Sequence, residues 1–173
     1  RRLMAGNGRD VVQVLSRRSP YTSSFPVHVL RVRFDDGHET KIVLKDMSGG
    51  ALIEQARRVR PPFLLGTTRE VDTYRLVLPQ ATAGTAACHG SVVDSATGQC
   101  WLFLEHVAGT QLCFVGDFAQ WERAARWAAT FHDAYAATEA SRLGRQAGLL
   151  TYDEPYYTTW LTRARAFATG TPE

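Results

Sequence analysis

The stretch Thr40-Lys41-Ile42-Val43-Leu44-Lys45-Asp46 decides the fold, read together with Arg69-Glu70-Val71-Asp72-Thr73-Tyr74-Arg75-Leu76 further on. Ile42-Val43-Leu44 is an apolar run that follows the turn Asp35-Asp36-Gly37, so Lys45 lies near the end of a strand. In strand alternation Lys41, Val43 and Lys45 share one face, and Ile42 and Leu44 the other. An unpaired charge beside buried apolar surface is costly, so Lys45 needs an anion. Glu70 is the candidate. On a helix starting there, Glu70, Tyr74 and Val77 fall at i, i+4 and i+7, which turns the carboxylate toward the apolar side. Each residue also has a plainer reading. Lys45 fits an edge-strand lysine with a solvated tip, and Glu70 fits the end of a capping box, Thr67-Thr68-Arg69-Glu70.

Outward from this pair the chain reads as strands first and helices later. Val11 to Leu15 and Val27 to Phe34 are two strands, and Asp36-Gly37 is a hairpin turn into the third, Thr40 to Asp46. His28 reads as a packed strand histidine. Ala51 to Val59 is a short helix stopped by Pro61-Pro62, and Glu70 to Leu78 a helix stopped by Pro79. Ser91 to Asp94 and Gln99 to Val107 are strands four and five around Ala96-Thr97-Gly98. The fifth is apolar enough to be central in its sheet. Asp117 is the expected N-cap of a helix to about Ala137. Its stripe Trp121, Ala125, Ala128, His132, Tyr135 reads as helix core. Residues 139–148 read as polar and weakly structured, and Tyr156 to Ala168 as a last helix.

Composition bounds the function. The chain has 173 residues and is 45% hydrophobic, as expected of a globular protein that buries a core. No stretch reaches the ~18 apolar residues of a membrane span. Cys88, Cys100 and Cys113 lack metal-ligand spacing, and the expected setting is reduced and cytoplasmic. The net charge of +3 is too small to argue for nucleic acid. Residues 1–100 hold 14 Lys/Arg against 9 Asp/Glu, and residues 101–173 hold 6 against 8. That asymmetry suits a polyanion on the first part, although solvated surface charge explains it as well.

Five strands with a helix between the third and fourth, followed by helices, resemble a protein-kinase-like N-terminal lobe. In detail the chain is similar to the aminoglycoside phosphotransferase and choline-kinase-like family. The residues that carry the resemblance are Val43-Leu44-Lys45, Arg69-Glu70 with Tyr74-Arg75, Trp101 to Gly109, and Ala128-Ala129-Thr130-Phe131-His132. It implies an α+β fold, with residues 1–107 as a nucleotide-binding lobe with hinge and 108–173 as the start of a helical lobe. It also implies ATP or GTP as ligand, a small-molecule hydroxyl as phosphate acceptor, and Mg²⁺ in the full-length family. By the same resemblance Lys45 contacts the α/β-phosphates and Glu70 orients Lys45. The Glu105 carbonyl and Val107 amide bond the adenine edge, with Leu104 as gatekeeper. The loop bearing Tyr21, Ser23 and Ser24 covers the phosphates, with charge from Arg17 or Arg18. His132 takes a structural role.

The departures are a loop with no glycine between the first two strands, and the lack of an H-G-D-x-x-x-x-N catalytic loop. His89-Gly90 is followed by Ser91 and precedes the fifth strand. The catalytic base and metal ligands of the family are therefore not matched, and the expectation is a chain inactive by itself, cut before the catalytic loop. The alternative is a kinase-like binding or interaction module without catalysis. With their aromatic residues left without a second lobe, residues 110–173 are expected either to pair with another copy of the chain or to be less ordered than residues 11–107.

Overall fold

The computed structural model describes residues 8–22, 24–80, 84–136 and 138–170, without the side chains of Pro62, Gln80 and 138–141. It is a mixed α+β fold built on a five-stranded antiparallel sheet. The strands are β1 (Val11–Arg18), β2 (Val27–Phe34), β3 (Glu39–Asp46), β4 (Cys88–Asp94) and β5 (Gln99–Glu105), in the order β1-β2-β3-β5-β4. The apolar β5 is internal, as its composition requires. The turn at Asp35-Asp36-Gly37 closes the β2–β3 hairpin. Gly37 takes φ 83° there, a conformation glycine adopts at no steric cost.

Strand alternation sorts the core into two faces. Leu30, Val32, Phe34 and Ile42 are buried on one, with Leu44 and Phe103 packed against them. On the other, Met47, Cys100, Leu102 and Leu104 surround Val71, with Phe25, Val43 and Tyr74 at the margin. Val71 and Leu102 are both 0% exposed, so this contact ties the helix to the sheet.

The helical segments between β3 and β4 differ from the sequence expectation in form. A 3₁₀ turn (Gly49–Ala51) and the short α1 (Glu54–Val59) replace the single helix expected over 51–59, because Leu52 and Ile53 are extended. Next, α2 (Arg69–Asp72) opens into a π-helical turn over Thr73–Val77. The wider π turn breaks the i, i+4, i+7 alignment. Tyr74 stays on the sheet core, while Val77 joins a separate cluster with Leu143 and Ala147.

Those last residues correct a second expectation. Residues 138–146 form a helix, α4 (Thr138–Gln146), where a weakly structured segment is read from sequence. Its polar composition hides an apolar edge, Leu143 and Ala147, which is buried against Val77 with Leu76 and Tyr135 alongside. Before it, α3 (Phe118–Tyr135) starts as expected at Asp117, whose carboxylate accepts from the Ala119 N–H at 2.9 Å. After it, α5 (Glu154–Thr169) is capped by Asp153 and ends at Gly170 in the left-handed region.

The stripe on α3 is not a core. Trp121, Ala125 and His132 are exposed and only Ala128 and Tyr135 are half-buried; the packing of this face is confined to its C-terminal end, where Tyr135 meets the Val77, Leu143 and Ala147 cluster. β1 runs to Arg18 rather than Leu15, and β4 starts at Cys88 through a bulge at Gly90. β5 stops at Glu105, two residues earlier than read from the sequence. No described helix is long and apolar enough to cross a membrane.

Candidate functional site

Lys45 and Glu70 are joined as their positions require. The Lys45 Nζ donates to Glu70 Oε1 at 2.6 Å and to Oε2 at 2.5 Å. The pair is partly buried, with side chains 26% and 37% exposed. The capping-box alternative is not adopted. Thr68 occupies the N-cap with no side-chain bond, and Glu70 reaches to the sheet instead of back to its own helix. The lysine tip is therefore not simply solvated.

Register places other cations on the same sheet face. Arg17 pairs with Val29 and Val29 with Val43, while Leu15 pairs with Arg31 and Arg31 with Lys41. Directly opposed residues of antiparallel strands share a face, so Leu15, Arg17, Val29, Arg31, Lys41 and Val43 line one surface. Over it opens a cleft of 670 Å³, closed on one side by Ser19, Pro20 and Tyr21 and on the other by His106 to Gly109. Its floor is apolar and its margin carries Arg17, Arg18, Arg31 and Lys41. No carboxylate lines it, and among the described residues none of these four cations is paired with one. Lys45 is the next residue on this face after Val43, about 7 Å along the strand. The Lys45–Glu70 pair thus stands beside the inner end of the cleft and lines a smaller neighbouring pocket.

The residues expected at a nucleotide site are divided between these two spaces. Tyr21 and Val107 line the cleft. Lys45, Glu70 and Ser24 line the neighbouring pocket, so Ser24 does not cover the cleft. It is drawn inward, 6% exposed, with its carbonyl accepting from Ile53 N–H at 3.0 Å. Ser23 lies outside the described residues. Leu104 is buried beside Val43 in the core and does not line the cleft. Glu105 is bound to the start of β4. Its N–H donates to the Ala87 carbonyl at 2.8 Å, and its carboxylate accepts from Ala87 N–H at 3.0 Å.

Three further residues have partners that limit their roles. The Ser16 hydroxyl and His28 Nδ1 share a hydrogen bond at 3.1 Å, which accounts for the strand histidine. His132 is exposed on α3 in edge contact with Phe131, so it does not brace a core. Arg69 donates to the Phe63 carbonyl at 2.7 Å and the Gly148 carbonyl at 2.8 Å, which pins the segment after α4 to the loop before α2. The cleft cations Arg31 and Lys41 were not singled out as site residues by sequence reading. The signal for Lys41 is its shared strand face with Lys45; for Arg31 it is the register, which a single sequence does not print.

Two neutral acids lie near the pair. Burial pushes the Tyr74 hydroxyl above its ordinary value, helped by the Glu70 charge. Burial also raises the Cys100 thiol, which donates to the Thr67 carbonyl at 3.2 Å. Among the described residues no group of three or more His, Cys, Asp or Glu is arranged to hold a metal ion.

Comparison with protein-family models, with curated proteins and with solved structures returned no match for the chain.

Proposed function

We propose that the chain is the nucleotide-binding portion of an ATP- or GTP-dependent phosphotransferase acting on a small-molecule hydroxyl, with a kinase-like N-terminal lobe at residues 1–107. The observation that carries this reading is the cleft. An apolar floor of Val29 and Val43 suits a purine ring, and four cations on its margin, none paired with a carboxylate among the described residues, suit a polyphosphate. Lys45, held by Glu70 at the inner end, supplies a fifth cation that is oriented before any ligand arrives. The Val107 amide, on the segment that leaves β5, is the proposed donor to the base, and Tyr21 closes the opposite wall.

A second reading, a kinase-like module that binds without catalysis, is favoured by His89-Gly90. This dipeptide lies within strand β4 and precedes Ser91 rather than an aspartate. Both readings share the nucleotide and differ in turnover by a complete protein.

The test is titration of the purified chain with fluorescent ATP and GTP analogues. Saturable binding that weakens in Lys45→Ala and in Arg18→Gln supports the reading. Absence of binding, or binding indifferent to both substitutions, overturns it. Turnover by this chain alone is expected under neither reading.

A further inference from the structure

A cavity of 600 Å³ opens where the π turn over Thr73–Val77 meets α3, α4 and the segment that follows α4. It shares no lining residue with the cleft, and the nucleotide reading uses none of its side chains. Val77 and Leu78 come from the π turn and its end, Phe131 and Tyr135 from α3, and Leu149 and Tyr152 from the segment after α4. The Phe131 and Tyr135 rings lie 4.7 Å apart, centroid to centroid. Wide π turns are rare and recur at functional sites.

The last of these walls is fixed by the backbone. Gly148 takes φ 65° at the end of α4, which turns the chain back. Leu149 N–H then donates to the Gly144 carbonyl at 2.9 Å, and Arg69 holds the Gly148 carbonyl at 2.8 Å. Gly144 makes room for the return, since a Cβ there would stand 3.2 Å from Leu149 Cδ1. Leu149 and Tyr152 nonetheless stay 43% and 66% exposed, so large apolar surface faces an open cavity.

Most of the polar chemistry along these walls is already spent. The Thr73 hydroxyl donates to the Arg69 carbonyl at 2.8 Å, and the Tyr135 hydroxyl to the Leu78 carbonyl at 3.1 Å. Arg145 is the one charged residue among those that line the cavity. No carboxylate lines it, and among the described residues Arg145 is paired with none. A single guanidinium beside aromatic and aliphatic walls complements an anion with an apolar body. Its forked donors match a carboxylate, whereas a phosphoryl group carries further charge and oxygens that these walls leave unanswered.

We propose that this cavity binds a small monocarboxylate with an aromatic body. Phe131, Tyr135 and Tyr152 receive the ring, which three aromatic neighbours favour over an alkyl chain. Val77 and Leu149 cover its edges, and Arg145 takes the carboxylate.

The experiment is calorimetric titration of the chain at neutral pH with phenylbutyrate, with the uncharged phenylbutanol, and with octanoate. Saturable binding of one phenylbutyrate per chain is expected, tighter than either comparison compound. Arg145→Gln should weaken phenylbutyrate roughly fivefold, the scale of an exposed charge pair, and leave phenylbutanol unchanged. Tyr152→Ala should weaken both. Arg145 and Tyr152 are exposed, so neither substitution threatens folding, and urea midpoints equal to that of the parent chain check this. Arg58→Gln, on α1 and outside the cavity, removes an equal charge and should change nothing. No saturable binding of phenylbutyrate overturns the proposal. Loss of affinity that is equal in Arg145→Gln and Arg58→Gln also overturns it, by reducing the effect to net charge. Octanoate bound more tightly than phenylbutyrate overturns the aromatic assignment. Phenylbutyrate displaced by an ATP analogue in proportion to nucleotide binding overturns the separate site and leaves the proposed function standing.

Discussion

Lys45 and Glu70 meet across the junction of β3 and α2, with both carboxylate oxygens on one ammonium. The pair therefore reports whether the helix is seated on the sheet. Both side chains keep water contact, so its net contribution to stability is small, about 1 kcal/mol or less. Its effect on binding is expected to be larger. Lys45→Ala should lower nucleotide affinity at least about tenfold, the loss of one charge-assisted contact. Glu70→Gln should lower it less, because the lysine remains but is no longer oriented. Urea midpoints together with nucleotide titrations measure the two effects separately. Equal losses in both would make the pair a structural link only.

Helix seating itself depends on apolar contact. Leu102 and Val71 are 0% exposed in the cluster that joins sheet to helix. Leu102→Ala should cost about 3 kcal/mol and Val71→Ala about 2 kcal/mol in unfolding free energy, as buried truncations leave cavities. Phe167, 90% exposed on α5, makes a contrast: Phe167→Ala should stay within about 0.5 kcal/mol. Denaturant unfolding of the three variants gives the ranking.

Thiol labelling checks the same core from another side. Cys88 and Cys113 are exposed, while Cys100 is buried and its thiol is held neutral by desolvation. Since the thiolate is the reactive form, two cysteines should label rapidly in the native chain and the third only in urea. Rapid labelling of all three would mean that the β5 core opens readily.

Alkaline stability follows from the same burial. Folding raises the Tyr74 hydroxyl above its ordinary 10.0 and the Cys100 thiol above 9.0. A group whose pKa is raised in the folded state is kept neutral there while the unfolded chain releases its proton. Its stability contribution is complete below the ordinary value and is lost as pH rises through the folded one. Urea midpoints should therefore begin to fall as pH passes 9.0 and fall further past 10.0. Tyr74→Phe should flatten the second part of that decline.

Much of this geometry is legible in the sequence where it depends on local pattern. Alternation over Val27 to Phe34 and Thr40 to Asp46 gives the strands and the shared face of Val43 and Lys45. The need of a half-buried lysine for an anion gives Glu70. Features set by tertiary contact are less legible. The π turn at Thr73–Val77 alters the facing of Val77 with no glycine or proline to signal it. The helix α4 forms from a polar stretch because Leu143 and Ala147 find Val77. Ser24 turns into a pocket through a backbone bond to Ile53, which its sequence neighbours do not announce.

The aromatic side chains of the C-terminal helices carry the last prediction. Phe118 is 87% exposed, Phe167 90%, and Trp121 and Trp127 about half. Apolar surface of this extent is uncommon on monomers, where large patches are covered by a partner. The segment 101–173 is close to charge balance, with 6 basic and 8 acidic residues, so two copies meet little repulsion there. Self-association through these helices is the expected outcome. Sedimentation should show average mass rising with protein concentration, and Phe118→Ser with Phe167→Ser should return it toward the monomer without moving the urea midpoint of the sheet. A monomer at all concentrations would show that these side chains are tolerated in water by a chain whose sheet supplies its stability.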